Sequence, residues 1–318
     1  MSLIDRILRP AGPASWSAAD VSARGLLGVT VGPAANPGGK PRVLRCATLP
    51  NAQLGTESLS ALSKLLQAHN TPWVLPLPRK DYNILVIAEP AVRADEMHQS
   101  VRWAISNMVD YPTDDAFISW MKIPTESLMP GRPPHIYVVV ARNHIVAENQ
   151  AAFQRSKLQL AAVDVRETAH RNISALVEKP GEGLVMLAIG ATGVQLTITF
   201  RGDLYLDRYI EENLFNDSGD ESTRQRASER IVLQVQRSLD FVSRTLSFID
   251  ISRVVLAPLP AETPLRSALE LNLPVPLEVL DLASLFDFSA TPELADTTLQ
   301  ADYLVALGAA LRFRNNAS

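Results

Sequence analysis

The sequence predicts an α/β fold of two lobes, with a small α/β subdomain inserted into the first lobe. The chain has 318 residues, which is more than one hydrophobic core usually serves. Residues 183–210 contain three apolar runs joined by glycine turns, a pattern typical of an antiparallel meander. Strand-like runs alternate with amphipathic segments on both sides of it. We therefore expect a first lobe at 1–180, with the insertion at about 73–158, and a second lobe at 181–297.

The composition is that of a soluble globular protein. Hydrophobic residues make up 47% of the chain, charged residues 20%, and the formal net charge is −4. This balance gives no electrostatic reason to expect binding to nucleic acid or to an anionic membrane surface. The single cysteine, Cys46, excludes an internal disulfide, and we interpret it as a small buried hydrophobic residue.

No apolar run approaches the roughly 18 to 20 residues that cross a bilayer, so we expect no direct membrane insertion. Charges interrupt the first ten residues, which lack the apolar core of a secretory signal, and we expect a cytoplasmic protein. A few apolar residues there recur at helical spacing: Leu3, Ile4, Ile7 and Leu8. They form either a short amphipathic segment or a terminus that packs loosely on its own domain.

The first lobe begins with two strand-like runs at 26–32 and 41–49. Residues 56–69 follow as a helix with Thr56 as its N-cap. The insertion then shows a strand at 82–88 and a helix at 93–109. It continues with strands at 116–123 and 135–141, which a proline-rich turn separates. A helix at 143–157, a strand at 158–165 and a helix at 166–177 lead into the meander.

The second lobe contains one long amphipathic helix, predicted at 221–249. Its apolar stripe is typical of a core face, and its arginines form either a solvated face or a basic partner surface. We expect the preceding loop at 216–222 to be mobile. The remaining elements are a strand at 253–259, a helix at 264–271, a strand at 275–282 and a helix at 301–313.

Three segments carry a resemblance to a known family: IGATGVQLTITFRGDLYLDRYI, VDVRETAHRNIS and YLVALGAALR. With the order of elements, they make the chain resemble the PilM family of actin-like proteins in type IV pilus assembly. Within that family the chain is most similar to the branch of the mannose-sensitive haemagglutinin (MSHA) pilus. The resemblance implies a two-lobed actin-like fold of the ribonuclease H-like and sugar-kinase class. It also implies that the helix at 298–318 returns to the first lobe.

The resemblance also locates a nucleotide cleft, and its motifs are altered here. In active members the first strand of each lobe ends in Asp-Ile-Gly, whose carboxylate helps to hold the metal of the nucleotide. We match the second-lobe motif to Ala188, Ile189 and Gly190, with Ala191 and Gly193 in the following turn. We match the first-lobe motif to residues 30–33, where Thr30 replaces the acid and Gly32 precedes a proline. The Gly-Gly turn that contacts adenosine is matched to Ala257 and Pro258.

These losses predict a degenerate cleft, no cofactor, no bound metal and no ATP hydrolysis. The alternative is an ATP-binding or ATP-hydrolysing protein of the same machinery, in which Asp164 or Asp207 holds magnesium. Asp164 and Glu167 also match a capping box at the start of a helix, which is the structural alternative. A third hypothesis is an unrelated small-molecule enzyme with a two-lobed α/β fold. The histidines show no metal-ligand spacing, and no serine lies in a hydrolase elbow.

The resemblance further implies a partner. PilM-like proteins bind the short cytoplasmic N-terminal segment of PilN, a single-pass inner-membrane protein, in a groove between the first lobe and its inserted subdomain. An extended peptide of this kind can add to a strand edge. We expect a non-catalytic scaffold that such a peptide recruits to the inner membrane. The candidate groove residues are large side chains in or near the insertion, for which core packing is the alternative: Trp73, Leu77, Tyr82, Trp103, Trp120 and Tyr137.

Overall fold

The computed structural model describes residues 15–124, 134–215, 221–259, 261 and 263–312. Within these residues there are thirteen strands and seven α-helices. The strands are β1 Trp16–Ser22, β2 Gly25–Gly32, β3 Arg42–Pro50, β4 Trp73–Pro76, β5 Tyr82–Ala88, β6 Ala116–Lys122, β7 His135–Arg142, β8 Leu160–Asp164, β9 Gly183–Ile189, β10 Val194–Phe200, β11 Asp203–Ile210, β12 Ile251–Leu256 and β13 Leu277–Val279. The helices are α1 Thr56–Leu66, α2 Met97–Ala104, α3 Asn143–Arg155, α4 Arg166–Val177, α5 Glu221–Thr245, α6 Leu265–Asn272 and α7 Thr297–Ala310.

The two lobes are built on sheets of the same topology. The first sheet has the order β3-β2-β1-β4-β8, and the second has the order β11-β10-β9-β12-β13. In each sheet three strands form an antiparallel meander, and the fourth and fifth strands run parallel to the central one. The central strands β1 and β9 therefore occupy corresponding positions in the two lobes.

Strand β1 is absent from the sequence prediction, whose first strand in the first lobe begins at Leu26. Its sequence, WSAADVS, has small and polar residues where a strand pattern usually shows large apolar ones. The strand is nevertheless buried on both faces, because β2 and β4 flank it and helices cover the sheet. The short strand β4 was also missed, because its four residues, WVLP, are too few to show a strand pattern.

The inserted subdomain is a three-stranded antiparallel sheet, β5-β7-β6, with α2 against one face. Strand β4 pairs with β1 and β8 in the first sheet, so Trp73 belongs to the main sheet of the first lobe. Strand β8 lies in that same sheet. The three strands and α2 thus span residues 82–142, a shorter segment than the predicted 73–158.

Alternate residues of the three-stranded sheet have different neighbours. Ile136, Val138 and Val140 of β7 face α2 and form a small separate core. Tyr137, Val139 and Ala141 point to the opposite face, because side chains alternate along a strand. That second face is directed towards the two main lobes, and it forms one wall of a groove described below.

The C-terminal helix α7 packs between the lobes. It contacts β1, β2 and β4 of the first sheet and crosses α4 closely. Gly308 permits this crossing, since a Cβ atom there would overlap the backbone of Ala169. Asn172 of α4 donates a hydrogen bond of 2.9 Å to the Gly308 carbonyl. Apolar residues of α7 join the core that both lobes share, as do Ala18 and Met186.

Several helix ends differ from the predicted ones. The N-cap of α1 is Gly55, and Thr56 is the first helical residue, with its hydroxyl accepting from Arg155. Helix α2 is shorter than predicted, and Met108 is an exposed residue beyond its end. The arginines of α5 include two that form ion pairs, Arg224 with Glu221 and Arg230 with Glu212, as in a solvated face.

Some predictions fall outside the described residues. These are the apolar segment at Leu3 to Leu8, most of the proline-rich turn at 129–134, the larger part of the loop at 216–222, Pro260, and the last residue of the predicted helix 301–313. In the part of the chain that the structure describes, no helix is long and apolar enough to cross a membrane.

Candidate functional site

Two cavities lie beside the inserted subdomain and the hairpins of the lobes. The first, the interlobe cleft, is a cavity of about 650 Å³ lined by the β1–β2 turn, the β9–β10 turn, residues 78–80, Arg166, His170 and Tyr209. The second is a cavity of about 310 Å³ between the inserted sheet and the first lobe, which we call the peptide groove after the expectation from the sequence. Helix α4 separates them and contributes side chains to both.

The interlobe cleft contains a carboxylate that the sequence analysis did not place there. Residues Asp20, Val21 and Ser22 end the central strand of the first lobe, and Ala188 and Ile189 end that of the second, directly before Gly190. All six residues line the cleft. Ala18 and Met186, two residues before Asp20 and Ala188, belong to the same shared core, so the two strands present corresponding faces. Asp20 is therefore the first-lobe counterpart of Ala188.

The match of the first-lobe motif to Thr30 and Gly32 is corrected by this topology. Both residues lie in β2, a flanking strand, at the end of the sheet away from the cleft. The Thr30 hydroxyl lies 2.9 Å from that of Ser17, near the start of β1. The error follows directly from the missed strand: without β1, the next apolar run took its place in the comparison.

The Asp20 carboxylate is engaged inside the protein. It is 1% exposed, and its Oδ1 accepts a hydrogen bond of 2.9 Å from Arg166 Nη1 at the start of α4. Among the described residues Oδ2 has no hydrogen-bond partner. Burial raises the pKa of Asp20, and the guanidinium of Arg166 opposes that effect.

The second-lobe turn keeps the glycines that the sequence singled out. The Gly190 amide donates to the Gly193 carbonyl at 2.8 Å, which closes the turn around Ala191. Gly193 is required because a Cβ atom would lie 2.5 Å from the Ile210 carbonyl oxygen and 2.7 Å from the Tyr209 ring. The hydroxyls of Thr192 and Tyr209 lie 2.6 Å apart, so the turn rests on strand β11.

The third matched element does not line the cleft. Ala257, directly after β12, is fully buried in the shared core, and its amide donates to Leu187 of the central strand. Pro258 follows it, and neither residue borders the cavity.

The resemblance leads us to expect one carboxylate from each lobe at this cleft. Ala188 stands in the place of the second-lobe acid. The other, Asp20, already neutralises Arg166.

A cluster of buried polar groups lies beneath the cleft, and the sequence analysis did not find it as a unit. Glu167 of α4 is fully buried, and its Oε2 accepts a hydrogen bond of 2.6 Å from the Tyr82 hydroxyl. Arg79 Nε is 3.8 Å from Glu167 Oε1. Burial is the main cause that raises the pKa of Glu167, and burial with the neighbouring Glu167 charge raises the pKa of Asp207.

The two acids of the magnesium alternative have other partners. Asp164 lines the peptide groove, where Arg312 and Thr168 both donate to its carboxylate. The N-cap of α4 is Val165 without a side-chain cap bond, so the predicted capping box with Glu167 is not formed. Asp207, in β11, accepts from Gln195 of the adjacent strand.

Neither the cysteine nor the histidines point to a reactive centre. Cys46 donates to Glu293, and burial followed by that contact raises the pKa of its thiol to about 12. Burial and the nearby Arg166 lower the pKa of His170 to about 3, so the ring is neutral at physiological pH. No group of three or more metal-ligating side chains occurs among the described residues.

The peptide groove is formed by the second face of the inserted sheet and by the first lobe. Phe117, Ser119 and Met121 of β6 and Val139 of β7 line one side. The opposite side carries Leu77, two residues at the end of β8 and the N-cap Val165, and Thr168 and Arg171 of α4, together with Arg312. In the described part of the chain no strand pairs with the outer edge of β6.

The structure places the six candidate groove residues in different surroundings. Leu77 lines the groove, whereas Trp120 borders it from β6 but packs its ring against the α2 core and His98 on the other face of the sheet. Tyr82 lies behind its wall, packed with Leu77 and Ala141. Tyr137 is on the same sheet face but is buried close to Asp207 of the second lobe. The other two do not belong to the groove: Trp73 is fully buried in the first-lobe core, and Trp103 is 70% exposed on α2.

The sequence matches no protein-family model and no protein of curated function. Similar folds occur among solved structures. A structure described as a PilM–PilN type IV pilus biogenesis complex matches with a TM-score of 0.71 at 20% identity, over 93% of this chain and 98% of that chain.

Two further structures match with lower scores. A Bacteroides thetaiotaomicron protein with an actin-like ATPase fold has a TM-score of 0.49 at 8% identity, with 88% of this chain and 95% of that chain covered. The cytoplasmic domain of EpsL, an inner-membrane component of the type II secretion system of Vibrio cholerae, has a TM-score of 0.47 at 8% identity. It covers 91% of this chain and 94% of that chain. The chain has the two-lobed actin-like fold seen in the PilM structure, and the predicted fold class is confirmed.

Proposed function

We propose that this protein is a non-catalytic actin-like scaffold of a type IV pilus assembly platform, of the MSHA kind and similar to the protein MshI. In this proposal it works in the cytoplasm, and the N-terminal cytoplasmic peptide of a PilN-like single-pass membrane protein recruits it to the inner membrane. The observation that carries the proposal is the peptide groove, an apolar cavity beside an open strand edge. The fold shared with the PilM of a PilM–PilN complex supports the choice of partner.

The chemistry of the groove favours an extended apolar peptide. A strand added to the outer edge of β6 gains main-chain hydrogen bonds, and every second side chain then points to the face that carries Phe117, Ser119 and Met121. Phe117 is 49% exposed, so its ring offers apolar area that an occupant covers. The cavity of about 310 Å³ accepts side chains rather than a whole domain.

The absence of catalysis is part of the proposal, and the composition of the cleft supports it. Phosphoryl transfer depends on metal ions and positioned charges. Here one acid is replaced by Ala188 and the other is paired with Arg166. An ATP-binding protein is the second candidate, and one observation favours it: Asp20 remains at the cleft with its Oδ2 unpartnered among the described residues.

Calorimetric titration with Mg-ATP separates the two candidates. A scaffold gives no saturable heat, whereas micromolar binding abolished by D20A favours the ATP-binding protein. Since Asp20 also holds Arg166, the D20A variant is first checked by circular dichroism for a native spectrum.

Peptide binding is tested by fluorescence anisotropy with labelled cytoplasmic peptides of platform membrane proteins. We expect Phe117→Ala to weaken binding about tenfold or more, because it removes an apolar anchor from the groove. Trp103→Ala is the matched control, since Trp103 is more exposed yet lies outside the groove. Equal losses in both variants, or none in Phe117→Ala, contradict the groove assignment.

A further inference from the structure

One short segment of the first lobe borders both cavities. Leu77 lines the peptide groove, and the next three residues, Pro78, Arg79 and Lys80, line the interlobe cleft. Tyr82, at the end of the segment, packs back against Leu77 behind the groove wall. Leu77 is therefore only two residues from Arg79, so a displacement of Leu77 in the groove also moves residues of the cleft.

Helix α4 has the same double position. Thr168 and Arg171 face the groove, whereas Arg166 and His170 face the cleft. Glu167 lies fully buried between these two faces, and its hydrogen bond from Tyr82 joins the helix to the segment 77–82. The segment 77–82 and α4 each border both cavities, and the buried Tyr82–Glu167 hydrogen bond connects them.

Arg79 connects this segment to the second lobe. Its guanidinium carbon lies 5.1 Å from the centre of the Tyr82 ring and 5.3 Å from that of Tyr209. Cation–π contacts of this length are attractive, and more so where water is partly excluded. Arg79 also donates a hydrogen bond of 3.0 Å to the Tyr82 carbonyl, which fixes the direction of its side chain.

Tyr209 continues the connection to the second-lobe turn. Its hydroxyl lies 2.6 Å from that of Thr192, and its ring fills the space that a side chain at Gly193 would need. A series of contacts thus runs from Leu77 in the groove through Arg79 and Tyr209 to the turn at 190–193.

We propose that the peptide groove and the second-lobe turn are coupled through Arg79, so that a peptide in the groove strengthens the contact between Arg79 and Tyr209. The empty space beside Leu77 indicates that a bound peptide strengthens this contact and does not weaken it. Leu77 is 2% exposed but borders empty space, and an occupant restrains the segment that holds Arg79 in place. This regulation rests on the proposed peptide-binding function.

Coupling is reciprocal, so the loss of the Arg79–Tyr209 contact weakens peptide binding although neither residue lines the groove. We expect R79M and Y209A each to raise the peptide Kd about fivefold. The two effects on Kd are less than additive in the double variant, since both changes remove the same Arg79–Tyr209 contact. The matched control K80M keeps the wild-type Kd, because it removes a neighbouring cleft cation without touching the Arg79–Tyr209 contact. Wild-type affinity in R79M and Y209A overturns the coupling.

A second measurement needs no peptide. Ser119→Leu places a larger apolar side chain in the groove from an exposed strand position. We expect slower amide hydrogen exchange at residues 190–193 in S119L, and no slowing when R79M is added. Unchanged exchange at the turn in S119L overturns the coupling. A third outcome separates the two proposals. If the wild-type protein binds no platform peptide, but S119L slows exchange at 190–193 and R79M removes that slowing, the proposed partner is wrong and the coupling stands.

Discussion

The two lobes present the same hairpin to the cleft with different chemistry. The first-lobe hairpin keeps the acid, Asp20, but has Ser22, Ala23 and Arg24 where a phosphate-binding turn needs a close backbone approach. The second-lobe hairpin keeps the glycines, Gly190 and Gly193, but has Ala188 in place of the acid. Each hairpin therefore has one part of the motif that the resemblance leads us to expect, and neither has both.

In each hairpin the feature that is present has a structural role within this protein. Asp20 is held by an internal partner, Arg166, and contributes to the junction between β1 and α4. Gly193 is held by steric need, because β11 passes directly against the turn. Both features have a structural reason to remain without a nucleotide.

The largest expected effect comes from breaking the first-lobe ion pair. Arg166→Met leaves the Asp20 carboxylate buried without a partner, and we expect the free energy of unfolding to fall by about 3 kcal/mol. Urea denaturation measures this loss.

The double variant D20A/R166M is its control, because it removes both charges together. We expect it to be more stable than R166M alone. If R166M and D20A/R166M are equally stable, then leaving the Asp20 carboxylate without its partner costs no stability, which contradicts this prediction.

The next effect compares the glycines of the two hairpins. Gly193→Ala brings a Cβ atom to 2.5 Å from the Ile210 carbonyl oxygen, and Gly25→Ala brings one to 2.6 Å from the Asn51 amide. We expect losses of about 2 kcal/mol in each case from overpacking. The loss is larger at Gly25, since its φ of 125° is unfavourable for alanine. In the control Gly190→Ala the nearest atom is 3.6 Å away, and little change is expected by thermal denaturation.

A smaller effect is the pH dependence of stability that comes from Asp207, the buried acid of the second lobe. The pKa of Asp207 is raised well above its usual value of 3.8 in the folded protein, mainly by burial, with Arg79 opposing. A proton is then bound more tightly in the folded state, so stability is complete below pH 3.8 and falls as the pH rises through the folded-state pKa.

Asp207→Asn removes this dependence, which amounts to at most about 1.4 kcal/mol per pH unit. Urea midpoints measured from pH 4 to 8 therefore fall less steeply in D207N than in the wild type. Parallel profiles for the two proteins would contradict a raised pKa at Asp207.

The smallest effect concerns the residue first matched to the acid position. Thr30→Val removes a hydroxyl that lies 2.9 Å from Ser17 Oγ, and Ser17 keeps a second partner, Thr71, at 2.7 Å. We expect a loss of about 1 kcal/mol or less by urea denaturation. Peptide affinity stays unchanged, since Thr30 lies away from both cavities, and a changed Kd would argue against that placement.

The sequence predicted elements well where the hydrophobic pattern is strong. The meander β9–β11 and the helix α4 were predicted nearly residue for residue. It failed at β1 and β4, because small residues and a four-residue length leave little pattern to detect. One missed strand was enough to displace the first-lobe comparison from Asp20 to Thr30.

The candidate site was predicted only where its residues are close together in the sequence. The turn from Ala188 to Gly193 could be found because glycine spacing is local. The cluster of Arg79, Tyr82, Glu167 and Asp207 could not be, since its members come from three separate parts of the chain: the segment 77–82, α4 and β11. Of the six groove candidates Leu77 lines the groove and Trp120 borders it from the opposite sheet face, because aromatic type alone does not distinguish a core residue such as Trp73 from a groove residue.

The sequence by itself determined the fold class and the composition of the second-lobe turn, including the loss of its acid. These depend on local periodicity and on residue identity, which the chain carries directly. Only the tertiary structure decided that the first lobe keeps its acid, that Arg166 occupies it, and that residues 77–82 join the groove to the cleft. Those facts depend on which strands become neighbours, and β1 becomes central through its pairing with β2 and β4 rather than through its own weak pattern.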